Sequence, residues 1–163
     1  MRTLLVCVAG LLLAGCGQST SAPPPLGVHL DLAITPTAAD PANPATISAA
    51  VSNDGPARVR NEGCSYAPGG MTLQFLDPAG KEVFLSDPRI RPLCADGLTD
   101  FRRGERFEAT FLFEGELFEE SGTKRAAATG DYTVIVRVVT YADAQRNDAL
   151  TLERRAQFRW ASP

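Results

Sequence analysis

Histidine is almost missing from this chain: among 163 residues there is one, His29. A serine or cysteine nucleophile needs a general base within reach, and no Gly-x-Ser-x-Gly elbow occurs to present one. His29 also falls on the polar parity of its segment, which makes it a surface residue. Cysteine is scarce, four in all, and no two have CxxC spacing. Zinc takes about four ligands at short spacings, so no metal centre is expected. There is no glycine-rich phosphate loop and no calcium loop of alternating acids. Basic charge is in short supply as well: 16 Lys and Arg against 19 Asp and Glu, interspersed, with a formal net charge of −3. A nucleic-acid partner needs a concentrated basic face, which this balance excludes. Neighbouring acids such as Glu119 and Glu120 lie in one polar stretch and do not supply two carboxyl groups held across a cleft for glycoside chemistry. These absences predict a protein that is not an enzyme and has no cofactor.

What is present begins with an apolar run, Leu4 to Ala14, behind Met1, Arg2 and Thr3. It is too short to span a bilayer as a mature helix and reads as a targeting segment. It ends in Leu13, Ala14, Gly15 and Cys16, which resembles the bacterial lipobox, where small residues fit the peptidase groove and the thiol receives a diacylglyceryl group. The resemblance implies a lipoprotein signal peptide over residues 1–15 and a lipid-bearing Cys16, so that the membrane is a partner through the N-terminal lipid. The alternative is an ordinary secretory signal with an incidental cysteine. Either way the chain is exported, and with the lipid it is held in the cell envelope. Gly17, not aspartate, follows Cys16, and in a diderm the common sorting rule then sends the protein to the outer membrane.

Removing residues 1–15 leaves about 150 residues, enough for one domain that buries roughly 70% of its unfolded surface. Loss of Arg2 makes the net charge one unit more negative. Cys7 leaves with the signal and Cys16 is lipidated, so Cys64 and Cys94 remain. In an oxidising compartment they are expected to form a disulfide rather than a metal site. Closing a loop of about 31 residues stabilises by ~3–4 kcal/mol in the chain-entropy picture. Residues 16–26, with Pro23, Pro24 and Pro25, cannot pack a core and form an extended linker of about 3.1 Å per residue. The folded domain is placed at 27–163.

Within it the pattern has period two. Val28, Leu30, Leu32 and Ile34 alternate with His29, Asp31, Ala33 and Thr35. Ile47, Ala49 and Val51 repeat the scheme before a turn at Asn53, Asp54, Gly55 and Pro56. Met71 to Leu76 and Lys81 to Leu85, joined through Asp77 to Gly80, predict a hairpin. Phe107, Ala109, Phe111 and Phe113 form one apolar face. Tyr132 to Tyr141 is apolar on both faces, as a central strand is. Leu150 to Trp160 keeps its apolar residues on even positions, with Trp160 in the core. Arg154 shares that parity, so a bulge, an exposed strand end or a snorkelling side chain is expected there. Glu114 to Ala128 reads as a long loop or one short helix. Seven or eight short strands with Gly and Pro turns predict an all-β, antiparallel β-sandwich.

Gly130, Asp131 and Tyr132 resemble the strand entry of immunoglobulin-like sandwiches, where a tyrosine hydroxyl bonds back to a nearby backbone. Together with Val51–Asn53, Leu73–Asp77, Gly80–Val83, Arg103–Glu105 and Gly130–Val134, this order of pieces resembles the BsuPI-type intracellular proteinase inhibitor domain over roughly residues 46 to 141. The resemblance implies an immunoglobulin-like fold. Export and the Cys64 and Cys94 pair depart from that intracellular family, so the likeness bears on fold more than on inhibition.

The best candidate binding segment is the loop from Ser86 to Phe101, carrying Asp87, Arg89, Ile90, Arg91 and Asp96 and pinned at Cys94; the alternative is a plain surface connection. The sequence thus predicts a non-catalytic, lipid-anchored interaction module with a protein partner in the envelope. A second reading is a proteinase inhibitor, with Arg89 before Ile90 as bait, since Arg91 precedes Pro92 and resists cleavage.

Overall fold

The first alternation, Val28, Leu30 and Ile34 inward against His29, Asp31 and Thr35 outward, is a strand in the computed structural model, which describes residues 27–61, 67–90 and 97–162. Twelve strands form among the described residues: β1 (Val28–Thr35), β2 (Ala38–Ala39), β3 (Ala45–Asn53), β4 (Arg58–Asn61), β5 (Met71–Leu76), β6 (Glu82–Val83), β7 (Leu98–Phe101), β8 (Arg106–Phe113), β9 (Glu116–Phe118), β10 (Lys124–Ala126), β11 (Gly130–Tyr141) and β12 (Leu150–Trp160). The long strands are those whose alternation is visible in sequence. The excess over the predicted number consists of pieces two to four residues long, β2, β4, β7, β9 and β10. These are too short to show a period and are strands only because a partner lies alongside. No described helix is long and apolar enough to cross a membrane.

The architecture is an all-β sandwich. One sheet has the order β1, β3, β8, antiparallel throughout. The other is built on β11, which pairs with β12 on one side and with β5 and then β4 on the other. β7 continues beyond β4, β6 beyond β5, and β2 runs parallel to the end of β12. Between the sheets Val134, Val136 and Val138 face Leu30, Ile47 and Val51 in one core, while Ile135, also buried, lies on the opposite parity of β11. This matches the expectation of a central strand apolar on both faces.

An aromatic wedge joins the two sheets. Phe113, the last residue of β8, inserts its ring among Phe158 at 4.9 Å, Tyr132 at 5.0 Å and Trp160 at 5.0 Å. All four side chains are buried. Trp160 is therefore core, and the Tyr132 hydroxyl donates to the Ala128 carbonyl at 3.0 Å. Burial raises the pKa of that phenol above its ordinary value.

Two sequence expectations resolve into specific geometry. Arg154 sits in no bulge, because β11 and β12 pair one to one from Gly130 opposite Trp160 to Thr140 opposite Leu150. Its side chain is exposed, on a stretch of β12 that β2 does not reach. It lines, with Leu30 to Ala33 of β1, a depression where the edges of the two sheets approach. Residues 114–128 are neither a long loop nor a helix: β9 and β10 form a hairpin around a turn in which the Gly122 amide donates to the Glu119 carbonyl. Gly122 adopts φ +79°, a region that favours glycine.

That hairpin is a separate two-stranded sheet, held to the sandwich by apolar burial, backbone hydrogen bonds and ion pairs. Leu117 is fully buried, Phe84 and Phe118 exchange backbone hydrogen bonds at 2.9 and 2.8 Å, and Arg125 Nη2 meets Asp77 Oδ2 at 2.8 Å. Asp77 also accepts the Ala79 and Lys81 amides, each at 3.0 Å. Desolvation works to raise the Asp77 pKa, but the Lys81 and Ala79 amides and the Arg125 guanidinium outweigh it and hold the carboxyl below its ordinary value.

At the opposite end, the fully buried Asn53 ties three connections together. Its Nδ2 donates to Phe101 O at 2.8 Å and Pro56 O at 2.9 Å, and its Oδ1 accepts the Gly55 amide at 2.9 Å. Its own backbone bonds Glu105 and Gly104.

Replacing Asn53 by Ala strands the buried Phe101 carbonyl and removes the partners of the part-buried Pro56 carbonyl and Gly55 amide, and should lower stability by about 1–3 kcal/mol in chemical denaturation. Asp77→Asn should destabilise by about 1–3 kcal/mol at neutral pH. Because the folded pKa is depressed, the advantage of the native Asp77 is complete above the ordinary carboxylate pKa and is lost as pH falls through the folded value, so the two denaturation curves should converge in acid.

Candidate functional site

Of the candidate loop from Ser86 to Phe101, the described residues 86–90 form a locked turn, whereas Leu98–Phe101 is not loop but the strand β7, paired with β4. Asp87 accepts the Arg89 amide on Oδ1 at 3.0 Å, and the Ile90 amide donates to the Asp87 carbonyl at 3.0 Å. Arg89 then folds back on the same carboxylate, Nε to Oδ1 at 3.0 Å and Nη2 to Oδ2 at 2.7 Å. Such a two-pronged pair is geometrically exacting, because the flat guanidinium matches the carboxylate edge. The Arg89 guanidinium and then the Arg89 amide hold the Asp87 carboxyl below its ordinary pKa, and the same pairing raises that of Arg89.

The outcome is a rigid presentation of one aliphatic side chain. Asp87 is 15% exposed and Arg89 64%, while Ile90, at 71%, is the most exposed large hydrophobic residue among those described. Asp87, Arg89 and Ile90 therefore act as one unit. Arg91 and Asp96, the Cys64 and Cys94 pair, and Cys16 lie outside the described residues.

The sequence reading missed what supports this turn. The hairpin tip packs directly beneath Arg89: a Cβ on Gly122 would overlap its Nε. Lys81 Nζ meets Glu119 Oε1 at 3.2 Å, and Arg125 Nε lies 3.5 Å from the same oxygen, so the hairpin tip, the 77–81 turn and the candidate turn meet at one end of the sandwich. The available signal was Glu119, Glu120, Ser121, Gly122, a turn composition between two short alternating pieces.

The chain enters the domain at the other end. The Asp54 amide donates to the Gly27 carbonyl at 2.6 Å, and Gly27 backs so closely onto Gly55 that a side chain there would overlap its nitrogen. The eight residues of β1, at about 3.3 Å each, put roughly 26 Å between this entry and the far end.

The Asp87 and Arg89 charges cancel each other and no general base lies in the turn. His29 is at the entry end, 48% exposed and 3.4 Å from Asp54 Oδ2. Among the described residues no three His, Cys, Asp or Glu side chains gather as a metal site. A depression of about 370 Å³ is lined by residues of β1, β3 and β8 and by Arg154 of β12. Its charged lining includes Asp31 and Glu108, both paired with Arg106.

No protein-family model matches the chain, and no curated protein does. Similar solved structures include the β-glucosidase EmGH1 from Erythrobacter marinus, with a TM-score of 0.42 and 12% identity over 82% of this chain and 15% of that one. A β-glucosidase from Listeria innocua gives 0.36 and 11% identity, over 82% and 16%. The ApaA protein from Bordetella pertussis gives 0.40 and 16% identity, over 83% and 92%. The chain thus spans a small fraction of either glucosidase, and likeness at this distance assigns neither family nor activity.

Substituting Gly122 by Ala should push the Arg89 guanidinium off Asp87 at a stability loss of about 1–2 kcal/mol from the left-handed backbone. The Arg89 Nε–H resonance should lose its slow exchange with water while the core amides keep theirs.

Proposed function

We propose that this chain is a non-catalytic, lipid-tethered interaction module of the cell envelope that offers the Asp87–Ile90 turn to a protein partner. The observation that carries the reading is the placement of a locked, apolar-tipped turn at the end of the sandwich remote from the point where the chain enters. A lipid on Cys16 and an extended linker over residues 16–26 would hold the Gly27 end towards the membrane and leave the turn facing away. In a diderm the anchoring leaflet would be that of the outer membrane. Because Asp87 has already fixed the turn, little conformational freedom remains to be lost on binding. A disulfide between Cys64 and Cys94 would restrain the remainder of the same loop.

The finer description of the sandwich as immunoglobulin-like, and its likeness to the BsuPI-type domain, draws support from the Tyr132 hydroxyl bonded to Ala128. Inhibition of a serine proteinase is the weaker reading. It requires Arg89 to extend into a specificity pocket, and both prongs of its guanidinium are engaged by Asp87.

Metabolic labelling of the full chain with a palmitate analogue should mark the wild type and spare Cys16→Ser; an unlabelled wild type overturns the tether. A photo-crosslinking residue at position 90, in intact envelopes, should yield a discrete adduct that the same probe at the exposed Thr151 does not. No adduct at 90, or the same adducts at both positions, overturns the binding turn.

A further inference from the structure

The entry end carries an Asp–Gly step, Asp54–Gly55, in the turn that follows β3. In a flexible chain such a step is chemically unstable. The Gly55 amide nitrogen, unhindered by any side chain of its own residue, attacks the Asp54 side-chain carboxyl carbon. A carboxyl oxygen leaves as water and a five-membered succinimide closes. Water then opens the ring at one of its two carbonyls, regenerating aspartate or giving isoaspartate, in which the main chain runs through the β-carbon. The water lost is regained, so the reaction needs no other reagent.

We propose that Asp54 is a latent isoaspartate site whose reaction the native turn suppresses, with Asn53 and His29 as the restraining residues. Asp54 is 71% exposed, so solvent access does not protect it. What protects it is the position of the nucleophile. The Gly55 N–H donates to Asn53 Oδ1 at 2.9 Å, and Asn53 is in turn fixed by Phe101 O and Pro56 O. The Asp54 amide is held by the Gly27 carbonyl at 2.6 Å. For ring closure the Gly55 nitrogen must leave Asn53 and turn towards the Asp54 side chain, against the close packing of Gly27 on Gly55. His29 Nε2, 3.4 Å from Asp54 Oδ2, engages the carboxylate that must otherwise take up a proton before its oxygen departs as water.

Reaction at this site would do more than alter one side chain. Isoaspartate adds a backbone atom between Asn53 and Gly55, where the turn bonds the start of β1. The Asp54 to Gly27 and Gly55 to Asn53 hydrogen bonds could not both re-form. The site therefore couples opening of the entry end to a lasting chemical record of that opening.

The full chain is incubated in mildly acidic buffer with and without denaturant, and isoaspartate at position 54 is quantified by peptide mapping. The denatured chain should convert about tenfold faster or more, as local protection demands. His29→Gln should accelerate the native reaction about two- to fivefold, the range of an exposed ion pair, with an unchanged melting temperature. Native and denatured rates within a factor of two overturn the proposal. An unaltered native rate in His29→Gln removes the histidine from it, and the native-to-denatured ratio remains decisive even where an Asn53 variant fails to fold.

Discussion

The insertion of Phe113 between the sheets sets the position of nearly everything at the far end of this molecule. Its ring touches Tyr132, Phe158 and Trp160 edge-on or tilted, contacts worth about 0.5–1.5 kcal/mol each beyond area burial. Once Phe113 is seated, the chain must pass over Trp160, and it does so at Gly115, where a Cβ would overlap the indole. Only then can β9 and β10 fold as a hairpin, bury Leu117 and bring Gly122 under Arg89. The candidate turn thus rests on a core aromatic through a hairpin that belongs to neither main sheet.

Polar groups serve the same end of rigidity at the opposite pole. Asn53 is buried and fully bonded, and Arg58, also buried, donates through Nε to Thr140 Oγ1 at 2.9 Å and through Nη2 to the Asp148 carbonyl at 2.5 Å. The loop between β11 and β12 is thereby pinned with two non-glycine residues, Arg146 and Asp148, in the left-handed region. Buried polar atoms are tolerable only when satisfied, and here satisfaction and loop placement are one arrangement. Many surface charges are engaged in ion pairs, among them Lys124 with Glu116 and both Arg137 and Arg155 with Glu153.

How much of this was legible follows from the length of the signals. The alternations of β1, β3, β8 and β12 run over eight or more residues and each fixes a face by itself, while the run of β11, apolar on both faces, marks a central strand. The hairpin at 116–126 was not legible, because its strands are three residues long and its polar turn suits a loop or a short helix equally well. Asp87, Arg89 and Ile90 could be singled out as members of a polar, proline-punctuated loop, yet nothing in their order shows that Arg89 turns back on Asp87.

By itself, the sequence determined the all-β class, the inward faces of the long strands, the core role of Trp160 and the surface placement of His29, because period-two burial is a local property of each strand. The tertiary structure alone decided that Gly122 supports Arg89, that Asn53 joins the turns near Phe101 and Gly55, and that the chain enters at the pole opposite Ile90. Those relations join residues far apart in the chain. They exist only once two independent apolar faces have been brought together, and no local pattern encodes a distance across that contact.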